Sequence, residues 1–514
     1  MDAKSRSAFQ PFAPATSVRP TRPPADSPGR ETCARTVRCH GLALMFYNST
    51  KIRTTVRDSS QCPGQSRLGA SGGRMRQLSG IARLTLLLTC TSAALGLWSS
   101  PAAGQPIGPE FQVNTYTTDW QYRAKVAGNA AGSFVVVWRS TGQDGDGLGV
   151  FAQRYDASGA PAGDEFQVNL VTTGDQREPA VVVNDSGEFT VVWESASSYG
   201  SPDVVVGRRF DATGQPLGGE FEIGEGDWQG FTGLAAAPVS AGGFLVVWPG
   251  IAPIGPGGSS GVVARRFDST GLPLGDGFLV NSSGATTNEP AVATSPDGSF
   301  VVAWSESGGP DSGYDVFARR YDADGLPLEG EFQVNSFTSS DQTYPVVATS
   351  AAGDFVVAWV SEEQDGSEKG VFGQRFDASG NRVGAEFRAN VFTGFNQWFP
   401  TVAAEPDGEF VVGWMTPASD GGSYDVFLRH FDESGRPLSG DVLVNTYTSD
   451  FQGIPKVAAT GSGEFVVVWV SSPQDGSDDG VFGQRVRAPV FMNDLETGDV
   501  CSWTSAVGGA DPCP

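Results

Sequence analysis

Seven tryptophans, Trp138, Trp193, Trp248, Trp304, Trp359, Trp414 and Trp469, stand 55, 55, 56, 55, 55 and 55 residues apart. Each ends an apolar block that opens four positions earlier on a phenylalanine: Phe134, Phe189, Phe244, Phe300, Phe355, Phe410 and Phe465. Seven matches at one period require a chain built by tandem repetition of one supersecondary unit. Such a unit cannot bury its apolar face alone, so its copies must pack on one another.

Each unit reads as four short strands. The first is a Pro-x-Val-like run such as EPAVVV (178–183) or FPTVAA (399–404). A Gly-containing turn leads to the Phe-to-Trp run, and a long Gly/Asp/Ser loop leads to a third run such as VFAQRYD (150–156). The turn DASG (156–159) then leads to EFQVN (165–169). Strands of about five residues joined by turns fit an antiparallel four-stranded blade. The expected class is all-β: a seven-bladed β-propeller of four-stranded antiparallel blades over 105–489. The phase predicts how the ring closes. EFQVN occurs at 110–114, before any complete unit, and the last unit ends at VFGQRVRAP (481–489) with no fourth strand after it. The N-terminal strand is therefore expected to complete the last blade, which removes an unpaired edge.

Charge divides the chain. Residues 1–104 carry 14 basic and 4 acidic side chains, and the remaining 410 residues carry 20 and 54. So acidic a body repels nucleic acid and suits neutral sugars, cations or basic partners. Met75 begins a basic stretch, and LTLLLTCTSAALGLW (84–98) is an apolar core followed by Ala102 and Gly104 at small-residue positions. Residues 75–104 thus read as a signal peptide, which predicts a secreted or cell-envelope protein. Membrane crossing needs about 20 apolar residues, so no span is expected once the signal is removed. Leu88-Thr89-Cys90 lacks the small residue that precedes a lipidated cysteine. Residues 1–74, rich in Arg, Pro and Ser, read as a gene start placed too far upstream or as a disordered extension.

The segment ARRYDADGLPLEGEFQVN (318–335) resembles the turn of the Asp-box propellers, the sialidase-like superfamily. Asp322 and Gly325 match it with two intervening residues rather than one. The resemblance covers about 107–489 and implies the propeller architecture. It would also imply three convergent arginines, a Tyr/Glu pair and an acidic base near the axis. The predicted inner strands AKVAG, PAVVV, LAAAP, PAVAT, PVVAT, PTVAA and PKVAA supply no arginine cluster. His430 is the one histidine after residue 104, so a multi-histidine zinc site has no ligands there. No catalytic residue is nominated.

Repeated residues are expected to be structural. The seven Trp and Phe are core. The arginines Arg154, Arg209, Arg266, Arg320, Arg375 and Arg485, and the aspartates Asp156, Asp211, Asp268, Asp322, Asp377 and Asp432, fit turns and blade edges. His430 takes the arginine place in the sixth unit, and Arg487 takes the aspartate place in the seventh.

Function is expected on the face formed by the second-to-third loops and the loops between blades, which vary. Trp120, Tyr122, Trp228, Phe231, Phe395, Trp398, Tyr447 and Phe451 lie there beside polar residues. Rings in such company stack on sugar faces, or alternatively pack loops against the blade tops. Asp144, Asp146, Asp365, Asp475, Asp478 and Asp479 lie in Asp-Gly loops. Oxygen-rich loops suit Ca²⁺, though Asp-Gly is also an ordinary turn former. No other cofactor is expected.

After Pro489 the tail 490–514 resembles a short terminal motif of secreted bacterial proteins through Phe491, Asp494, Leu495, Glu496, Gly498, Asp499, Trp503 and Thr504. Cys501 and Cys513, the only cysteines after the signal, are expected to form one disulfide. The resulting expectation is an exported monomer that acts, without catalysis, as a binding or structural module for a glycan or protein. The alternative is a glycoside-active enzyme using loop carboxylates on the same face.

Overall fold

The computed structural model describes residues 104–196, 203–226, 233–252, 259–282, 287–308, 313–418 and 423–488. The N-terminal extension, the signal peptide before Gly104, Trp228, Phe231 and the tail with Cys501 and Cys513 lie outside the described residues. The described chain is a β-propeller of repeated four-stranded antiparallel blades. Among the described residues there is no α-helix, and no helix is long and apolar enough to cross a membrane.

The first repeat forms strands Gln121–Gly128, Phe134–Thr141, Leu148–Tyr155 and Phe166–Gln167, hydrogen-bonded in sequence order. The next five repeats follow the same order. The seventh contributes Phe451–Gly461, Glu464–Ser472 and Gly480–Arg487. Strand Gln105–Gln112 pairs antiparallel with the last of these, placing Phe111 opposite Gly483 and Gln112 opposite Phe482. A single parallel bridge, Tyr424 to Phe451, joins the sixth and seventh sheets. The first strands of successive repeats lie side by side, and that of the seventh packs against that of the first.

The fourth strand is shorter than its five-residue motif. It is two residues long at Phe166–Gln167, Phe278–Leu279, Phe332–Gln333 and Val442–Leu443. The motif's asparagine ends it. Oδ1 of Asn169 accepts from the Val150 amide at 2.9 Å, so a side chain replaces the next ladder carbonyl. Asn281, Asn335, Asn390 and Asn445 accept in the same way from Val262, Val316, Val371 and Val426. Asn114 accepts from the amide of Val481 at 2.7 Å.

The seven tryptophans are fully buried. Six of them stand opposite a β-bulge in the first strand of their repeat. Arg177 faces Glu194 and Ala180 faces Val192, so Glu178 and Pro179 together oppose Trp193. Trp138, Trp304, Trp359, Trp414 and Trp469 face equivalent bulges. Proline suits the second bulge position because no ladder donor is needed there. Core clusters mix neighbouring repeats. One combines Val466, Val468 and Val481 of the seventh with Phe134, Trp138 and Tyr155 of the first and Val113 of the N-terminal segment.

Two sets of polar contacts join neighbours. Arg154 donates to the Ala212 carbonyl in the next repeat's turn, Arg209 to Thr270 at 2.9 Å, and Arg320 to Ala378 at 2.6 Å. Arg485 of the last repeat donates to Ala157 of the first at 3.0 Å. The aspartates hold these turns: Asp156 accepts from the amides of Ser158 and Ala160 at 2.8 and 3.1 Å. The second set uses the acid that opens the fourth-strand motif. Glu331 accepts from the Ser282 amide at 2.9 Å, Asp441 from Val391, and Glu110 from Thr446 at 2.6 Å.

The exceptions in the repeat follow from this geometry. An arginine at 430 would reach toward an Asp turn of the seventh repeat, but there the third strand ends and the separate N-terminal strand takes over. His430 is instead buried against Gly104 and the Phe465 ring. Burial lowers its pKa to about 4. Arg487, in the aspartate place, pairs with Glu464, as does Arg485.

Candidate functional site: an axial cavity

These bulges also set what lines the axis. The first residue of each of the six has a positive φ: Arg123 57°, Glu178 45°, Glu289 55°, Tyr344 56°, Phe399 51° and Ile454 56°; Gly233, in the same place of the third repeat, has a φ of 149°. A left-handed conformation costs a non-glycine residue roughly 1–2 kcal/mol. It is held six times by residues of unrelated chemistry, so the backbone is constant while the side chains differ. Together with Lys125, Thr401, Lys456 and the flanking small residues they line a cavity of about 280 Å³.

The walls are unequal. On one side Oε1 of Glu178 lies 3.2 Å from Nε of Arg123 and 3.6 Å from Nη1 of Arg139. Both arginines also approach the Tyr122 ring, at 5.8 and 5.3 Å from its centroid. On the other side Tyr344 meets Phe399 edge-on at 5.1 Å and Trp398 at 6.2 Å. Nζ of Lys369 sits 4.2 Å from the centre of Trp398. Glu289 lies between these walls and accepts from the Tyr344 amide at 2.8 Å. Burial raises its pKa to about 7, against the opposing pull of that amide.

Two lysines, Lys125 and Lys456, directly follow the bulge on the adjacent first strands of repeats one and seven. Burial lowers the pKa of both. Lys456 falls to about 7, with the charges of Lys125 and Arg123 adding to the burial effect and Glu178 and Glu289 opposing it. Among the described residues neither ammonium has a hydrogen-bond or ion-pair partner, whereas Arg123 and Arg139 share Glu178.

Among the described residues no ring contact joins any two of the aromatic residues expected on the binding face. Trp120 and Phe395 are exposed, at 59% and 47%. Tyr122, Trp398, Tyr447 and Phe451 are half-buried, with Tyr122 under the two arginines, Trp398 against Tyr344, and Phe451 5.7 Å from Tyr424. Tyr122 and Trp398 each stand next to a bulge residue of the cavity. The loop aspartates serve their own turns. Asp144 accepts from Asn169 at 2.8 Å and from the Asp146 amide. Asp365 accepts from the Ser367 amide, and Asp475 from Ser477 and Asn114. Asp479 gives its carbonyl to the Gln121 amide. Among the described residues no three His, Cys, Asp or Glu side chains are grouped to hold a metal ion.

The sequence reading places no arginine on the axis, because it begins the first inner strand at Ala124. The strand begins at Gln121, and the bulge at Arg123 and Ala124 puts Arg123 on the axis. The available signal was the residue before each inner-strand proline or its equivalent: Arg, Glu, Gly, Glu, Tyr, Phe and Ile. That position varies within an otherwise constant strand.

No family model matches the chain, and no curated protein matches it. Solved structures similar to it include a protein of unknown function from Dyadobacter fermentans, at 11% identity and a TM-score of 0.46 over 74% of this chain and 98% of that one. The endosialidase of phage phi92 is similar at 10% identity and a TM-score of 0.44, over 75% and 70%. The GH93 alpha-L-arabinofuranosidase of Fusarium graminearum is similar at 12% identity and 0.41, over 62% and 96%. At these identities and scores no activity passes from them to this chain.

Proposed function

We propose that this chain is an exported seven-bladed propeller, closed by its N-terminal strand, that binds a glycan in its axial cavity from the variable-loop face. The supporting observation is the set of six bulges, with Gly233 in the same place of the third repeat, that presents side chains of five different kinds to one cavity. Structural residues in a repeat protein stay alike, so diversity at one inward position supports a ligand site there. The volume, about 280 Å³, lies just below the range typical of drug-sized ligands and fits one or two sugar rings. Tyr344 and Phe399 offer stacking surfaces, while Glu178, Glu289 and Arg123 offer hydrogen-bonding groups. Trp120 and Phe395 are placed to extend contact to a longer chain or to a protein carrying the glycan. The protein works as a monomer.

A second reading rests on the two carboxylates of the cavity. Glu178 is paired with two arginines, whereas Glu289 is pushed up to about 7 by burial. Carboxyls in such different environments suit a base and an acid in glycoside cleavage. A glycan array probed with the mature chain separates the two readings. Capture without product supports binding, and released sugar supports catalysis. Ala291→Trp, which adds bulk where Ala291 lines the cavity and packs against the Val347 and Trp359 cluster, is expected to abolish capture at some cost in melting temperature, and a cooperative melt shows that the variant still folds. Capture unaffected by Ala291→Trp would refute the axial site.

A further inference from the structure

The charge balance inside the cavity differs from that of the body around it. The chain after residue 104 carries 54 acidic against 20 basic side chains, yet the cavity lining includes Lys125 and Lys456, whose ammonium groups make no hydrogen bond or ion pair among the described residues. One carboxylate, Glu178, is shared by two guanidinium groups, Arg123 and Arg139. Glu289 is engaged by the Tyr344 backbone. Lys125 and Lys456 remain, brought together where the first strands of repeats one and seven meet. Burial makes each ammonium costly and the second one beside it adds repulsion, which Glu178, and for Lys456 also Glu289, offset only in part. A bound anion removes both penalties at once.

We propose that Lys125 and Lys456 form an anion subsite that receives the carboxylate of an acidic sugar, a hexuronate, whose ring lies toward the Tyr344 and Phe399 wall. The assignment rests on the axial cavity being the glycan seat. The acidic exterior selects among anionic glycans. It repels a polyanion along its length but admits a single terminal carboxylate to a locally positive pocket. The subsite therefore takes a terminal uronic acid, with the remaining neutral sugars at the mouth near Trp120 and Phe395.

Calorimetric titration of the mature chain with methyl galacturonoside and methyl galactoside, which differ at the carboxylate, tests this, with the glucuronic and glucose pair in parallel. The parent is expected to bind one uronoside at least about tenfold more tightly than its neutral partner. Lys125→Met/Lys456→Met should lose that preference and keep the neutral affinity. Lys456→Arg should keep the preference and extend it to alkaline pH, because a guanidinium stays charged. That rescue separates a charge effect from a packing defect. Equal affinity for acid and neutral forms in the parent, no binding of any of the four, or a preference that survives both Met substitutions would overturn the subsite. If acid and neutral forms bind equally and Ala291→Trp blocks both, the subsite fails while the axial reading stands. If Ala291→Trp leaves the preference intact, the axial reading fails as well.

Discussion

Asn114→Ala removes a side chain that connects the two ends of the described chain. Oδ1 of Asn114 accepts from the Val481 amide at 2.7 Å, and Nδ2 donates to the Tyr116 carbonyl at 2.9 Å and to Gln121 at 3.2 Å. The residue is 2% exposed, so water cannot replace these partners. Each hydrogen bond contributes about 0.5–1.5 kcal/mol net, and a buried amide left unpaired costs about 1–3 kcal/mol. These terms overlap, and about 3 kcal/mol is the expected loss. Asn335→Ala is the internal control: its carboxamide bonds the Val316 amide at 2.8 Å, the Phe337 carbonyl at 2.9 Å and Asp315, all within one continuous repeat. Urea unfolding of both variants, with hydrogen exchange at the Val481 amide, provides the measurement. If the ends are joined, the two substitutions cost similar amounts and Val481 loses protection in the first. If the ring is open in solution, Asn114 is solvated and its loss costs within about 0.5 kcal/mol, as for an ordinary surface change. A destabilised Asn335→Ala beside an unaffected Asn114→Ala would refute closure.

His430 is buried as the neutral form, with a folded pKa of about 4 against 6.5 unfolded. The unfolded chain therefore binds the proton first. Stability from this group is complete above about 6.5 and falls by about 1.4 kcal/mol per unit as pH drops toward 4. His430→Gln should flatten the parent's stability profile between pH 5 and 6.5, and an unchanged slope would contradict the burial. Glu178→Gln leaves Arg123 and Arg139 without their shared carboxylate, and should lower stability by about 1–3 kcal/mol in thermal melts. Chelator treatment should leave the melting midpoint in place, because Asp144, Asp365 and Asp475 already accept from turn amides and neighbouring asparagines. A drop of several degrees would instead place calcium in those loops.

The fold was legible because its signals are periodic and apolar. The Phe-to-Trp block is the second strand and the core, and the unpaired EFQVN near the start marks the strand that joins Gly480–Arg487. The recurring Arg and Asp could be read as blade-edge residues, but not as a set of contacts from one repeat to the next, since those bonds span 58 or 61 positions, or 328 where the last repeat meets the first. The acid of EFQVN carries no signal of its partner in the sequence, because Glu110 reaches the Thr446 amide 336 positions away. The loop aromatics were judged by composition alone. Composition cannot show that Tyr122 lies under Arg139 while Trp120, two residues earlier, stays in solvent.

The cavity was missed for a reason that applies to repeat proteins generally. The residues that recur stand out in the sequence, and recurrence here reports packing. Tryptophan recurs because an indole fills the space opposite a two-residue bulge. Proline recurs beside it because the bulge leaves a ladder donor unused. Those two constants hold the preceding residue in a left-handed conformation that only glycine adopts without strain, yet six of the seven occupants are not glycine. Where a position fixes its backbone against cost and leaves its side chain to vary among arginine, glutamate, tyrosine, phenylalanine and isoleucine, packing does not set the side chain, and that variation is what supports the proposed ligand site.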